Sequence, residues 1–303
     1  MRANSAEIIK SMRKEMGLSQ EEMAAQLFIS TRQLARIEAG EAGMDIWQFI
    51  TTSELLGAPS EDFWLLYLDS SEYASYRDYR RLKRQIASND WTEANDTIAA
   101  LEKSELMKQQ VVNQYVSYMK VSLQMEMPPG EKLEQYKTAL HMSKSCFDEN
   151  KVCEYRMTYN EINIVLSIAK CLSHMGEHDR ATSLVHSLIE GRENCKVSEE
   201  DKAYIFPAMY YYLIGILHHA ENYRDALKAC ENAVEVCRDY NNLNRIPEML
   251  YAMAECLHKL GEEEHIFKTH LVRAYHVAYG MGKNDTAACI KEASLKNFGV
   301  TVP

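Results

Sequence analysis

Residues 18–40 read LSQEEMAAQLFISTRQLARIEAG and carry two helix starts only eleven residues apart. Ser19 with Glu22, and Ser30 with Gln33, each have the form of a capping box. In that motif a hydroxyl at the N-cap accepts from the backbone three residues on, and the Glu or Gln there reaches back to the cap amide. Leu18 and Ile29 precede the two caps and can pack on Met23 and Leu34 as hydrophobic staples. The spacing therefore predicts two short helices joined by a tight turn.

Working outward, residues 5–68 divide into five short helical segments. Ile8, Ile9, Met12 and Met16 mark the apolar face of the first, which Gly17 ends. Gly40 stops the third. A fourth covers roughly residues 45–56, with Ile46, Phe49, Ile50 and Leu56 facing inward, and a fifth runs from Ser60 through Leu68.

From about Ser71 the pattern changes to long helices in pairs. The clearest pair is NEINIVLSIAKCLSHMGEHDRATSLVHSLIEG, residues 160–191, in which Gly176 makes the turn and Ala181 allows close approach of the two helices. The pattern recurs at 210–237 around Asn222 and Ala226, at 249–278 around Gly261, and at 79–104 around Asn89 and Ala94. Residues 105–147 form a further pair whose turn is Met127-Pro-Pro-Gly130. The intervals come to about 40 residues, slightly longer than the tetratricopeptide period of about 34. The fold class expected is all-α. It comprises a five-helix N-terminal domain over 1–68 and a right-handed superhelix of about five tetratricopeptide-like hairpins over 71–303. A terminal capping helix spans 285–297.

Composition narrows the function. The chain has 303 residues with few glycines (12) and prolines (6), which favours helix. No apolar run approaches the ~18 residues of a membrane span, and the N-terminus lacks the apolar stretch of a secretory signal. The net charge of −10 argues against non-specific coating of nucleic acid. No phosphate-cradling glycine loop, nucleophile elbow or H-E-x-x-H motif is present, so neither an enzyme nor a cofactor is expected. The eight cysteines include no C-x-x-C. Most fall on expected buried helix positions, where a thiol behaves as a small hydrophobe, with a redox or metal role the alternative. A reducing cytoplasm fits them.

The doubly capped stretch is similar to the helix-turn-helix of the repressor-like Xre/Cro family. Arg13 and Glu38 stand twenty-five positions apart, as the family's internal ion pair does; Gln20 falls at its backbone-contacting glutamine, and Ala24 at the small residue where the two helices cross. The resemblance implies that Gln20, Ser30, Thr31, Arg32, Gln33 and Arg36 meet double-stranded DNA. For Gln33, reading adenine competes with capping. Phe28 stands where the family has glycine, so either the turn is remodelled or the ring packs well enough to offset a left-handed backbone. Such heads usually dimerise and read two half-sites. Arg77, Arg80, Arg81, Lys83 and Arg84 form a basic cluster beyond the head: a solvated face, or added DNA backbone contacts.

A repressor-like head followed by five such hairpins resembles the Rgg- and PlcR-like (RRNPP) regulators, cytosolic receptors for short signalling peptides. The resemblance implies a peptide in the concave groove, a homodimer, and no membrane. Projecting the repeat pattern puts Asn163, Lys170 and His174 toward the groove from the third hairpin, Tyr211 and His218 from the fourth, and Tyr251, Glu255 and His258 from the fifth. Asn113 joins them from the second. The rival expectations are repeats that only dimerise, and a protein-binding scaffold without catalysis.

Overall fold

The computed structural model describes residues 3–56, 70–87, 91 and 93–303. Among these the chain forms fifteen α-helices, and its only β-type pairing is an isolated bridge between Thr158 and Lys196. The expected fifth head helix, 60–68, and the Asn89 turn lie outside the described residues. The chain divides into two compact units, Met1–Val116 and Ser117–Pro303.

In the first unit, α1 (Ala3–Glu15) ends at Gly17, whose φ of +71° suits glycine. Helix α2 (Gln20–Gln26) starts on the complete capping box of Ser19 and Glu22. For α3 (Thr31–Glu38), Ser30 accepts from the Gln33 amide, but Gln33 does not return the bond, so only half of the expected second box forms. Helix α4 (Ile46–Leu55) carries a full box at Asp45 and Gln48 that the sequence reading had not singled out. Ile9, Met23, Ala24, Leu27, Leu34, Phe49 and Leu56 close one core, with Met12 and Ile29 packed against it. Met16, expected on the inner face, is exposed, because it lies beyond the last turn of α1.

The Arg13 guanidinium crosses this core's edge. Its Nε donates to Glu38 Oε1 at 2.6 Å and Nη2 to Oε2 at 3.1 Å, while Nη1 donates to the Leu18 carbonyl at 2.6 Å. The pair thus ties α1 to the end of α3 and to the turn before α2. Helices α5 (Ser70–Ala87) and α6 (Ala94–Leu101) follow as the first hairpin, with Ala94 fully buried. The basic cluster on α5 is engaged locally: Arg81 pairs with Glu93, and Lys83 lies over the Tyr79 and Tyr115 rings at 5.0 and 5.6 Å.

Helix α7 (Gln110–Leu123) crosses from the first unit into the second, where Ser122 meets Tyr136 of α8 (Pro129–His141) at 3.1 Å. Pro129 opens α8 at a position where a missing N–H costs nothing. Then come α9 (Tyr159–His174) and α10 (His178–Glu190), α11 (Glu199–His219) and α12 (Tyr223–Asp239), α13 (Ile246–Lys259) and α14 (Glu264–Gly280), and the closing α15 (Asn284–Phe298). Among the described residues, the paired helices of the five expected hairpins and the terminal helix are present. Ala181 and Ala226 are fully buried at the expected close approaches. The first helices of successive hairpins, α9, α11 and α13, adjoin in that order, and the closing α15 follows α13.

Between α8 and α9 the chain makes a short irregular excursion that docks under α10. Ser187 Oγ accepts from the Cys153 amide at 3.0 Å, and Asn194 Nδ2 donates to the Cys153 carbonyl at 3.2 Å. A Cβ at Gly191 would stand 2.6 Å from Cys153 Cα, so the close approach requires glycine although its φ is ordinary. Glu161 is buried where this excursion meets α9, capping Thr158 and accepting from Lys144 Nζ at 2.8 Å.

Burial alone would raise the Glu38 and Glu161 carboxyls. The hydrogen bonds from Arg13 and Gln20 outweigh it for Glu38, and those from Lys144, Ser143 and the Thr158 amide for Glu161, so both are held below the usual range. A depressed folded pKa contributes stability that is complete above the unfolded value of about 4.3 and is lost as pH falls through the folded value. Glu161→Gln is therefore expected to flatten the acid limb of the urea midpoint measured against pH. Arg13→Met, which strands the buried Glu38 charge, should cost about 3 kcal/mol in equilibrium urea unfolding.

Candidate functional site

Helix α3 buries Leu34, Ile37 and Glu38 and turns Thr31, Arg32, Gln33 and Arg36 outward. The helical period puts Arg32 and Arg36 on the side opposite Leu34 and Ile37, while Thr31 and Gln33 flank the buried face in the open first turn. Because Gln33 leaves the cap bond unreturned, its amide is not committed to the helix end. Arg36 lies 3.7 Å from Glu41 in an exposed pair, which holds the guanidinium only weakly. Ser30 is occupied by the cap. Gln20 is half-buried, and its Nε2 donates to Glu38 Oε2 at 2.7 Å, so the first residue of α2 is fixed in place by the Arg13–Glu38 pair.

Phe28 satisfies neither expectation for the turn. Its φ is +53°, so the turn keeps the left-handed backbone, and the side chain is 95% exposed, so no packing offsets the strain.

The second candidate site lies within the unit Ser117–Pro303. A cavity of about 660 Å³, within the range of ligand pockets, opens between α9, α11, α13 and α15. Lys170, His174, Tyr211, His218, Tyr251 and Glu255 all line it. They converge because residues four and seven apart share a helix face: 170 and 174 on α9, 211 and 218 on α11, 251 and 255 on α13. The structure does not bring Asn163 and Asn113 there. Asn163 Nδ2 donates to the Tyr159 carbonyl of its own helix at 2.9 Å, and Asn113 stands on α7 in the first unit. His258 instead packs edge-on against Phe267 and Phe298 at 5.0 and 5.1 Å.

Tyr212, from the Tyr210–Tyr212 run whose rings the sequence also aims near the groove, stands on the same walls, and sequence reasoning missed His219, Glu248 and Gly215 there. Gly215 was findable: a glycine in mid-helix loses about 1 kcal/mol against alanine, and here a Cβ would meet only open space. The α9 wall is basic, with Lys170 beside His174, and the α13 wall acidic, with Glu248 and Glu255. Burial, with Lys170 and His219 nearby, lowers the His174 pKa, while burial raises the Tyr212 and Tyr251 phenols and the Glu255 carboxyl. One Glu248 oxygen is buried without a hydrogen-bond partner, although its other oxygen lies 3.8 Å from Lys283. Such a wall offers aromatic faces, donors and acceptors to a polar chain. Half of the cysteines are buried, fewer than expected: Cys171, Cys230, Cys237 and Cys256 are buried, Cys153 and Cys195 are intermediate, and Cys146 and Cys289 are exposed.

Residues 9–43 match the family model described as Helix-turn-helix, so the chain carries a helix-turn-helix domain. Several solved structures share the fold. It is similar to PlcR of Bacillus thuringiensis, crystallised with the peptide PapR7 and DNA, at 17% identity and a TM-score of 0.70, covering 95% of this chain and 99% of that one. It is similar to ComR of S. thermophilus, crystallised with DNA and its signalling peptide ComS, at 15% identity and a TM-score of 0.62, covering 98% and 100%. It is also similar to the SHP pheromone receptor Rgg2 of Streptococcus dysgalactiae, at 13% identity and a TM-score of 0.58, covering 97% and 99%. No curated protein matches the chain by sequence. The resemblance to the Rgg- and PlcR-like regulators, drawn from motif and layout, is borne out in the fold.

Phe28→Gly is expected to raise stability by ~0.5–1 kcal/mol, the left-handed strain relieved less the entropy a glycine adds to the unfolded chain. Thermal denaturation read by circular dichroism at 222 nm checks it.

Proposed function

We propose that the chain is a sequence-specific DNA-binding transcriptional regulator whose activity is switched by a short signalling peptide held in the cavity of the repeat unit. One observation carries the reading. The same chain has an outward-facing α3, locked at both ends by its cap and by the Arg13–Glu38 pair, and a separate cavity lined by six residues that the repeat pattern aims at a groove. PlcR and ComR, which share the fold, were crystallised with both a peptide and DNA. No helix among the described residues is long and apolar enough to cross a membrane, and the reading places the protein in the cytoplasm.

In this reading residues 1–68 are the DNA-binding domain, and 71–303 bind peptide and form a homodimer. Thr31, Arg32, Gln33 and Arg36 meet base edges and phosphates of two half-sites. Ser30 and Gln20 fix the entry angle, and the second Gln20 amide proton serves a phosphate. In the cavity Tyr211, Tyr212 and Tyr251 supply contact area at low entropic cost, and Lys170 and His174 receive carbonyls or a carboxylate of the peptide. Asn163 and Asn113 join only if the peptide runs beyond the cavity and Asn163 releases its own helix. To move a balanced switch decisively, the peptide must favour one state by roughly 5 kcal/mol.

Fluorescence anisotropy with labelled DNA from the chain's own upstream region tests this, against a shuffled duplex at physiological salt and with candidate peptides added. A preference of order 10³ for the native duplex, changed by one peptide, is the expected result. Equal weak binding to both duplexes, unmoved by peptide, overturns it. Arg32→Ala should weaken specific binding by about 1–3 kcal/mol if it reads a base, or reduce the salt slope by about one if it meets a phosphate. Gly215→Phe, which fills the cavity from α11, should abolish the peptide's effect and leave peptide-free DNA binding unchanged.

A further inference from the structure

The cavity carries charge of both signs, and the two signs stand on different walls. On α13 the lining residues Glu248, Tyr251, Ala252 and Glu255 recur at intervals of three and four, so they form one stripe along a single helix face. On α9 the stripe is Lys170 and His174. Helix α11 packs on both α9 and α13 and so stands between the two walls. An ammonium therefore guards one side of the cavity, and two carboxylates line the other.

The carboxylates are incompletely matched from within the chain. Glu248 sits in the first turn of α13, where the helix dipole favours a negative charge. Its Oε1 lies 3.8 Å from Lys283 Nζ, beyond hydrogen-bond range, and that ammonium already donates to the Asn244 carbonyl. Its Oε2 is buried and accepts no hydrogen bond. A buried carboxylate oxygen without a donor is unfavourable, and here it belongs to a residue on the wall of a ligand-sized cavity. Burial raises the Glu255 carboxyl against the pull of His218 and Lys259, and a cation entering the cavity would add to that pull. The rest of the stripe suits a cation as well. Asn297 donates to the Tyr251 oxygen at 3.0 Å, which fixes an aromatic ring at the position between the two glutamates. Arg245 lies over the Tyr211 ring at 4.6 Å, so one tyrosine of this lining already holds a guanidinium. Gly215 leaves the α11 floor bare between the walls, and no packing within the chain demands it.

We propose that the peptide taken by this cavity carries a cationic group, seated on α13 against Glu248 and Glu255, and that these two glutamates select it over neutral and acidic peptides. The inference rests on the peptide reading above and adds the charge of the ligand and the wall that reads it. The cation donates to the buried Glu248 oxygen, while Lys170 keeps it off the α9 wall. A guanidinium fits best, because its fork gives two parallel bonds to one carboxylate and its plane stacks on an aromatic face. A lysine side chain or the peptide's own α-amine supplies the same charge with fewer directed donors.

The test offers the full chain pools of synthetic hexapeptides at neutral pH, with bound peptides retained by ultrafiltration and identified by mass spectrometry. Each pool fixes Arg, Lys, Glu or Gln at one position in turn and draws the remaining positions from Ala, Ser, Leu, Phe and Asn. Every pool is made with free and with acetylated N-termini. Among acetylated peptides, the Arg and Lys pools should be retained about tenfold more than the Gln pool, and the Glu pool least. If the α-amine is the cation, the gain appears instead between the free and the acetylated Gln pools. Either preference should shrink as salt is raised. The double variant Glu248→Gln, Glu255→Gln should retain the Arg and Gln pools alike, with circular dichroism confirming its fold. Retention of peptides with no preference for a cation would overturn the proposal and leave a peptide receptor standing. A cation preference that survives the double substitution would overturn it too, since the charge would then be read elsewhere. Retention of no pool would overturn this proposal and the peptide reading together. The pool comparison on the native chain decides the matter even if the variant fails to fold.

Discussion

A two-helix hairpin has more apolar face than its own two helices can cover, and the repeat unit follows from that constraint. Ile162, Ile164, Val165, Leu166 and Ile168 make α9 apolar nearly all round, which is tolerable only because α8, α10 and α11 pack on it. Each such fully buried side chain contributes about 1.5–3 kcal/mol, and an isolated pair would forgo the part that comes from its neighbours. The stack cannot close on itself at the α15 end. There Val300 and Val302 fold back on Phe267 and Leu271 to cover the last face. The cavity lies among α9, α11 and α13, the first helices of three successive hairpins, and the closing α15.

The head solves the same problem with polar parts. Its helices are too short to be stable by propensity, and capping boxes at Ser19 and Asp45 with the Arg13–Glu38–Gln20 network hold their ends. The network reaches from α1 to the end of α3, so the helix that presents Arg32 and Arg36 is fixed from the side facing away from them. Here structure and exposure serve one another: what is buried sets the angle of what is outward.

Local pattern made much of this legible. Caps, turn glycines and small residues at helix crossings are short-range signals, and they located α1 through α4, the hairpin turns at Gly176 and Gly261, and the buried Ala181 and Ala226. Helical period was enough to bring Lys170 to one cavity with Tyr211 and Glu255. What escaped the sequence depends on which of two partners a polar side chain prefers. Gln33 could close its box and does not. Asn163 could face the groove and bonds to Tyr159 instead, and His258 finds two aromatic rings closer than the cavity. Phe28 escaped because a left-handed turn and an exposed ring are both unfavourable locally, and no local rule foresees that both persist.

Gly191 sets a limit on how this architecture can vary. The excursion between α8 and α9 touches α10 so closely there that no other residue leaves the Cys153 backbone where it is. Any methyl group at that position pushes the segment out, unseats its bonds to Ser187 and Asn194, and loosens the entry to α9, whose wall carries Lys170 and His174. In a lineage of such chains, then, the length of the excursion and the glycine should be inherited together. A chain that shortens the excursion frees position 191 to mutate, and one that keeps it does not. Covariation between a loop's length and a single residue would be the evolutionary trace of a contact 2.6 Å wide.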